Sequence, residues 1–208
     1  MSRIARFHSD YVHTRRVRVL RDHLVDLIPA DARVLDIGAG DGLLASLIAQ
    51  RRPDIEVHGI ETIVREDRHL QITQFDGKTI PYADEVVDTV MLVDVLHHAD
   101  DPMELLREAR RVTRSAVIIK DHTLEGFCAG PTLRFMDRIG NEKHGVSLPY
   151  HYWTKAQWLE AFRLLGMTID VWNTDLGLYP SPAKWIFERS LHFLARLDVV
   201  GNPSALRP

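Results

Sequence analysis

The sequence has little cysteine, no long apolar run and almost no excess of charge. Its one cysteine, Cys128, excludes an internal disulfide and fits a reducing compartment. No apolar run approaches the roughly 18 residues that a membrane span needs, and residues 1–16 lack the apolar core of a secretory signal. The formal net charge of −3 provides no basic excess for nucleic acid. We therefore expect a cytoplasmic protein with neither a membrane nor a nucleic acid as partner.

The composition is that of a folded globular protein, with 45% apolar and 26% charged residues. A chain of 208 residues can bury one good hydrophobic core, and neither a linker nor a repeat divides it. Leu20, Leu24 and Leu27 recur at helical spacing before Pro29. We predict one domain over 1–208, with a helical N-terminal segment at 1–30.

Short β-branched runs alternate with amphipathic stretches along most of the chain. The predicted strands are 33–37, 55–60, 70–74, 86–93, 116–119, 167–171 and 191–197. Helices are predicted to begin after the capping residues Asp101 and Thr154. This alternation predicts an α/β fold with a parallel sheet, and such sheets bind ligands outside the carboxyl ends of their strands.

A glycine turn ends the first predicted strand, in the sequence VLDIGAGDG. Gly38 and Gly40 allow a tight turn and a close approach of the backbone to a ligand. Their spacing does not fit the dinucleotide pattern G-x-G-x-x-G. Asp36 lies within the apolar strand, so burial requires either hydrogen-bond donors or a ligand cation. A purely structural role, tying down the amides of its own turn, stays open.

Acidic residues also follow the next strands. Glu61 comes after the second strand, where a carboxylate can accept both hydroxyls of a ribose. Asp76 and Gly77 follow the third strand, where a carboxylate could accept an adenine amino group. Asp94 and the pair His97-His98 follow the fourth strand. Each acid could instead be an ordinary exposed side chain.

These four motifs, in this order, resemble the class I S-adenosylmethionine-dependent methyltransferases, above all their small-molecule and quinone-type branch. The resemblance spans about 12–197. It implies a Rossmann-like, seven-stranded, mostly parallel sheet with helices on both faces and the last strand antiparallel. It implies S-adenosyl-L-methionine as cofactor and S-adenosyl-L-homocysteine as product. The cofactor contacts that it implies are Asp36, Gly38, Ala39, Gly40, Glu61, Thr62, Asp76, Gly77, Asp94 and His97.

The resemblance also assigns roles. The glycine turn faces the methionine portion, Glu61 the ribose and Asp76 the adenine, while Asp94 borders the methyl group. Asp36 is expected to organise the glycine turn near the cofactor's ammonium group. Two departures stand out: about eight residues separate Glu61 from the third strand, so the family's helix there is short or absent, and the family's Gly-Gly turn before the fifth strand is missing.

Histidine is the natural base at neutral pH, and 11 histidines are present. We take His122, just past the fifth strand, and His144 as candidate catalytic bases. The segment 123–153 is expected to be the acceptor-site insert, with His98, Tyr150 and His151 binding substrate. Ordinary packing roles for these residues stay open. The histidines without an argument for chemistry are His8, His13, His23, His58, His69 and His192.

Two further groups of residues could contribute to the site. Tyr11 and Arg15 could cover the cofactor if the first helix folds over it. His97 and His98 could be drawn as a metal site with nearby aspartates, but adjacent ligands seldom both point inward, and Asp101 is needed as a helix cap. We expect no metal.

Together these patterns predict methyl transfer from S-adenosylmethionine to a small-molecule acceptor by direct displacement. A catalytically silent cofactor-binding module is the alternative from another class. A nicotinamide dehydrogenase is disfavoured by the glycine spacing and by Asp36. The acceptor, the atom methylated and the oligomeric state stay open.

Overall fold

The computed structural model describes residues 3–141 and 149–199, with side chains at 14–139 and 149–199. Within these ranges the helices are α1 (Arg3–Leu24), α2 (Leu43–Arg51), α3 (Pro102–Val112), α4 (Ala129–Asn141), α5 (Lys155–Leu164) and α6 (Lys184–Phe187). The strands are β1 (Arg33–Ile37), β2 (Glu56–Glu61), β3 (Ile72–Gln74), β4 (Val87–Val93), β5 (Thr113–His122), β6 (Met167–Asn173) and β7 (His192–Val199).

The seven strands form one sheet in the order β3-β2-β1-β4-β5-β7-β6. The pairs from β3 to β5 are all parallel, whereas β7 runs antiparallel to both β5 and β6. This confirms the predicted fold class. The chain order reverses between β1 and β4, so the crevice above their carboxyl ends is where such a sheet binds ligands.

The core lies in two layers, one on each face of the sheet. One layer packs Leu106 of α3 and Phe162 of α5 against β4 and β5, and the other packs Leu24 of α1 and Ile48 of α2 against β1. Every residue of β5 from Ala116 onward is buried, because helices cover both faces.

Both predicted helix caps are present. The Asp101 carboxylate accepts hydrogen bonds from the backbone amides of Met103 and Glu104, and Thr154 forms a capping box with Gln157. The cap at Asp101 begins α3, which places the preceding residues at the end of β4.

The ends of several strands differ from the sequence prediction. Strand β5 begins at Thr113, directly after α3, and not at residue 116. The chain therefore passes from α3 into β5 without the family's Gly-Gly turn. The Thr113 hydroxyl donates to the Ala109 carbonyl at 2.6 Å at this junction. Between β2 and β3 the structure describes only bends and irregular backbone, as the short spacing predicted. Helix α4 lies within the predicted insert, and no helix was predicted there.

None of the helices in the described part of the chain is both long enough and apolar enough to cross a membrane.

Candidate functional site

A cavity of about 730 Å³ opens at the carboxyl ends of β1, β2 and β4. Ligand pockets in proteins commonly measure about 300 to 1,000 Å³. The predicted site residues that line it are Asp36, Gly38, Ala39, Gly40, Glu61, Thr62, Asp76, Gly77, Asp94, His97, His98 and His122. The structure therefore gathers all the predicted cofactor contacts on one surface.

The glycine turn is held by strand β2. The amides of Gly38 and Ala39 both donate to the Ile60 carbonyl, at 2.9 and 3.2 Å, and the Gly40 amide donates to a Glu61 carboxylate oxygen at 2.8 Å. The expectation that Asp36 organises this turn is wrong, because the amides are already bound by β2 and Glu61.

Asp36 is buried, with only 3% of its surface exposed. Among the residues that the structure describes, none donates a hydrogen bond to its carboxyl group. Burial, and after it the negative charge of Glu61, raises the pKa of Asp36 to about 7. The carboxylate form of a group that is buried in this way is stabilised by a nearby positive charge. A positively charged ligand group in the cavity would supply that charge to Asp36.

The carboxylates after β2 and β3 also face the cavity. Besides the Gly40 amide, Glu61 accepts from the backbone amide and hydroxyl of Thr62, at 2.7 and 3.1 Å. Asp76 accepts from the amides of Lys78 and Thr79, and these hydrogen bonds lower its pKa. Both carboxylates are thus oriented by backbone groups, with lone pairs remaining for a ligand.

Asp94 at the end of β4 is ionised between two cations. Arg16 of α1 donates to it at 2.5 Å, and the fully buried Lys120 of β5 donates to its other oxygen. Burial opposes ionisation, yet Arg16 and Lys120 hold the pKa of Asp94 well below its usual range. Burial lowers the pKa of Lys120 to about 8, against the attraction of Asp94.

Arg16 and His192 were not expected in this cluster. His192 is buried, and its Nδ1 lies 3.2 Å from the Lys120 ammonium nitrogen. The antiparallel register between β5 and β7 places His192 opposite His122. Residues 70 positions apart meet through this pairing, and no local motif could reveal it.

A second cluster surrounds His97. Its Nδ1 donates to Asp121 at 2.6 Å, and its Nε2 lies 3.5 Å from an oxygen of Asp137 on α4. The Tyr152 hydroxyl donates to that same oxygen of Asp137. Burial lowers the pKa of His97, but Asp121 and Asp137 outweigh it and raise the pKa to about 10. The sequence prediction contained neither Asp121, Asp137 nor Tyr152.

His122 lies where the prediction placed it, at the end of β5 and in the cavity wall. It is 3% exposed, and its Nδ1 has no hydrogen-bonding partner among the residues that the structure describes. Its Nε2 lies 3.6 Å from Asp94 and 3.8 Å from Asp137. Burial, followed by the charge of Lys120, lowers the pKa of His122 well below its usual value, so the imidazole is neutral.

His97 and His98, predicted as a cofactor contact and a substrate contact, both line the cavity. They belong to a 3₁₀ turn, Leu96–His98, in which successive side chains are rotated by about 120° rather than alternating. Their ring centroids are 4.0 Å apart.

The remaining predicted residues are placed differently. Tyr150 and His151 are not among the described residues that line the cavity, because the backbone of His151 is bound to His97 and its ring to the Ala99 carbonyl. Arg15 donates to the Gly177 carbonyl, and its neighbour Arg16 lines the cavity instead. His144 and the side chain of Tyr11 lie outside the described residues.

A family model described as a methyltransferase domain matches residues 35–119. Among curated proteins, dimethylglycine N-methyltransferase of Parasynechococcus marenigrum is 29% identical over 175 residues, which cover 76% of this chain and 59% of that protein. The 27-O-demethylrifamycin SV methyltransferase of Amycolatopsis mediterranei is 31% identical over 110 residues, covering 46% of this chain and 40% of that protein. The chain thus spans less than two thirds of the length of these relatives.

Solved structures share the fold. A possible histamine N-methyltransferase from Thermotoga maritima superposes with a TM-score of 0.61 at 20% identity, covering 93% of this chain and 96% of that one. A putative methyltransferase of Haloferax volcanii, solved with the Trm112 activator, gives a TM-score of 0.63 at 19% identity, covering 87% and 88%.

Proposed function

We propose that this chain, a class I S-adenosylmethionine-dependent methyltransferase, transfers the methyl group of S-adenosylmethionine to a small-molecule acceptor. The observation that carries the proposal is the cavity at the switch point of the sheet, where the glycine turn meets the buried carboxyl group of Asp36. No described side chain supplies a cation to that carboxyl group, so an amino-acid-derived ligand with an ammonium group would fit there.

The residues fit the cofactor in three places. Asp36 would bind the ammonium group, since a positive charge beside it would stabilise its carboxylate form. Glu61 would accept the ribose hydroxyls, and its position is fixed by the Gly40 and Thr62 amides. Asp76 would accept the adenine amino group from a position fixed by two backbone amides.

When bound, S-adenosylmethionine supplies a methyl group activated by a sulfonium. The chain's own contribution is then to hold the acceptor in line with that methyl group, an alignment that can contribute about 7–11 kcal/mol. Asp94 is held rigid by Arg16 and Lys120, so it would form a fixed wall between the cofactor side and the acceptor side.

His122 is the acceptor-side residue in this proposal. Its neutral imidazole lines the cavity, and its buried Nδ1 has no hydrogen-bonding partner among the described residues. The ring can therefore accept a hydrogen bond and hold the acceptor in place. Its lowered pKa favours this positioning role over proton transfer. His144 stays a second candidate outside the described residues.

A small molecule as acceptor is supported by two observations. A cavity of about 730 Å³ can enclose a cofactor together with a metabolite-sized partner. Two curated relatives carry names that give a small molecule as substrate, dimethylglycine in one and a rifamycin derivative in the other.

Calorimetry with S-adenosylmethionine and S-adenosylhomocysteine tests the first step. We expect both to bind with one site per chain, and Glu61→Ala to weaken binding at least about tenfold because its ribose contacts are lost. Glu56→Ala is the matched control, since Glu56 is an exposed residue at the other end of the same strand. Absence of binding to either ligand would refute the proposal.

Transfer is tested separately with methyl-labelled cofactor and a panel of small hydroxyl, amine and carbon acceptors. We expect one chemical class to be labelled and His122→Asn to slow the labelling without changing the cofactor affinity. Tight cofactor binding with no labelled product would favour the silent binding module instead.

A further inference from the structure

We propose that the histidine cluster beside the cavity binds a divalent transition-metal ion, with His97, His98 and Asp137 as its ligands. One ligand atom from each of these residues can be chosen so that all three lie within 4.8 Å of one another. Two imidazoles and one carboxylate form a ligand set that suits zinc or iron(II).

The distance between two of the ligands fits an ion placed between them. Two atoms each about 2.1 Å from an ion and separated by a tetrahedral angle lie roughly 3.4 Å apart. The Nε2 of His97 lies 3.5 Å from the Asp137 oxygen, at the long limit of a hydrogen bond. The pair is therefore separated as two ligands of one ion would be.

The surrounding residues already fix the ligands. Histidines that bind metals commonly donate their other ring nitrogen to a carboxylate, and His97 does so to Asp121 at 2.6 Å. Asp121 is itself fixed, because it accepts from the amides of Leu96 and His122. Asp137 accepts a hydrogen bond from the Tyr152 hydroxyl. A site with its outer contacts in place needs little rearrangement to take up an ion.

An ion would take the place of a proton on His97. The His97 imidazole lies between the carboxylates of Asp121 and Asp137. A histidine must lose that proton before its nitrogen can bind a metal, so binding would release the proton and leave both carboxylates beside the ion.

The three ligands line the cavity, so an ion held there would keep open coordination positions toward it, as catalytic metal sites do. Its use, holding an oxygen or nitrogen atom of the acceptor beside the methyl group, rests on the proposed function. Binding of the ion itself does not. The expectation of no metal had two grounds: adjacent ligands seldom both point inward, and Asp101 is needed as a helix cap. His97 and His98 both line the cavity, and the ligand set proposed here does not use Asp101.

Cobalt(II) is a suitable probe, because its visible absorption reports nitrogen and oxygen ligands directly. The full chain, purified without a histidine tag and stripped with a chelator, is titrated with cobalt(II) in the absence of cofactor. We expect one ion per chain, displaced by zinc. His98→Gln and Asp137→Asn should each weaken binding at least about tenfold.

His58→Gln is the matched control, since His58 is an exposed histidine of β2 outside the cavity wall, and it should bind cobalt like the unchanged protein. His98 is only partly buried, so His98→Gln decides the question even where Asp137→Asn does not fold. Cobalt binding that is absent, or equal in the unchanged protein and both ligand variants, would overturn the proposal. Calorimetry with S-adenosylmethionine on the metal-free protein tests the proposed function independently.

Discussion

Replacing Gly38 by alanine should disrupt the glycine turn far more than the same change at Gly40. Both residues have left-handed backbones, with φ of +71° and +62°, so alanine costs about 1–2 kcal/mol at either position. A Cβ at Gly38 would lie 2.5 Å from Cγ2 of Val95, whereas a Cβ at Gly40 would have nothing within 4 Å. Overpacking of this kind adds about 1–3 kcal/mol. We therefore expect about 2–5 kcal/mol for Gly38→Ala and about 1–2 kcal/mol for Gly40→Ala.

Urea denaturation of the two variants, with S-adenosylmethionine affinity measured in parallel, provides the assay. The double variant Gly38→Ala/Val95→Ala removes both methyl groups that clash and leaves the Val95 Cβ at 3.4 Å, an ordinary contact. Its loss should be smaller than the sum of the two single losses. Equal destabilisation by Gly38→Ala and Gly40→Ala, or strict additivity in the double variant, would refute the steric argument.

Four further predictions concern Asp36, Arg111 and Thr154. Because the folded-state pKa of Asp36 is raised from 3.8 to about 7, its contribution should lower the free energy of unfolding of the cofactor-free protein as pH rises from about 4 to about 7. Asp36→Asn should remove that slope in denaturation curves taken across this range, and an unchanged slope would contradict the assignment. The ionised carboxylate is the form that attracts an ammonium group, so calorimetry should show cofactor affinity rising with pH and levelling above about 7. Arg111→Met should cost about 2–3 kcal/mol in urea denaturation, because the guanidinium binds Glu108 and the Ile80 and Tyr82 carbonyls, but cofactor affinity should not change. Thr154→Ala should cost about 1 kcal/mol through loss of the capping box of α5, and a change below the error of thermal denaturation would count against that role.

The cofactor half of the site was predictable because each of its parts is local. Gly38, Glu61 and Asp76 each follow directly on an apolar strand, and parallel strands bring their carboxyl ends to the same edge of a sheet. The motif alone could not show which groups bind the turn amides. The amides of Gly38 and Ala39 reach the Ile60 carbonyl of the neighbouring strand, so Asp36 is left for a ligand.

The other half depends on pairings that no short motif contains. Asp137 lies on a helix whose remaining pattern is that of an ordinary amphipathic helix, and its buried carboxylate meets His97 from 40 positions away. His192 reaches Lys120 only through the antiparallel register of β7. Sequence periodicity predicts a strand close to β7 but no helix at α4, and the register of β7 is set by packing across the whole sheet.

The position of β7 links the site to the order in which the chain is synthesised. Residues 192–199 are inserted between β5 and β6, so the strand that carries Lys120 and His122 has an unpaired edge until they arrive. All the cofactor motifs are therefore synthesised well before β7 can pair with β5 and fix the Lys120 and His122 side chains beside Asp94. We expect competence for the acceptor reaction to appear abruptly when β7 docks, and substitutions that weaken β7 pairing to impair catalysis before they impair cofactor binding.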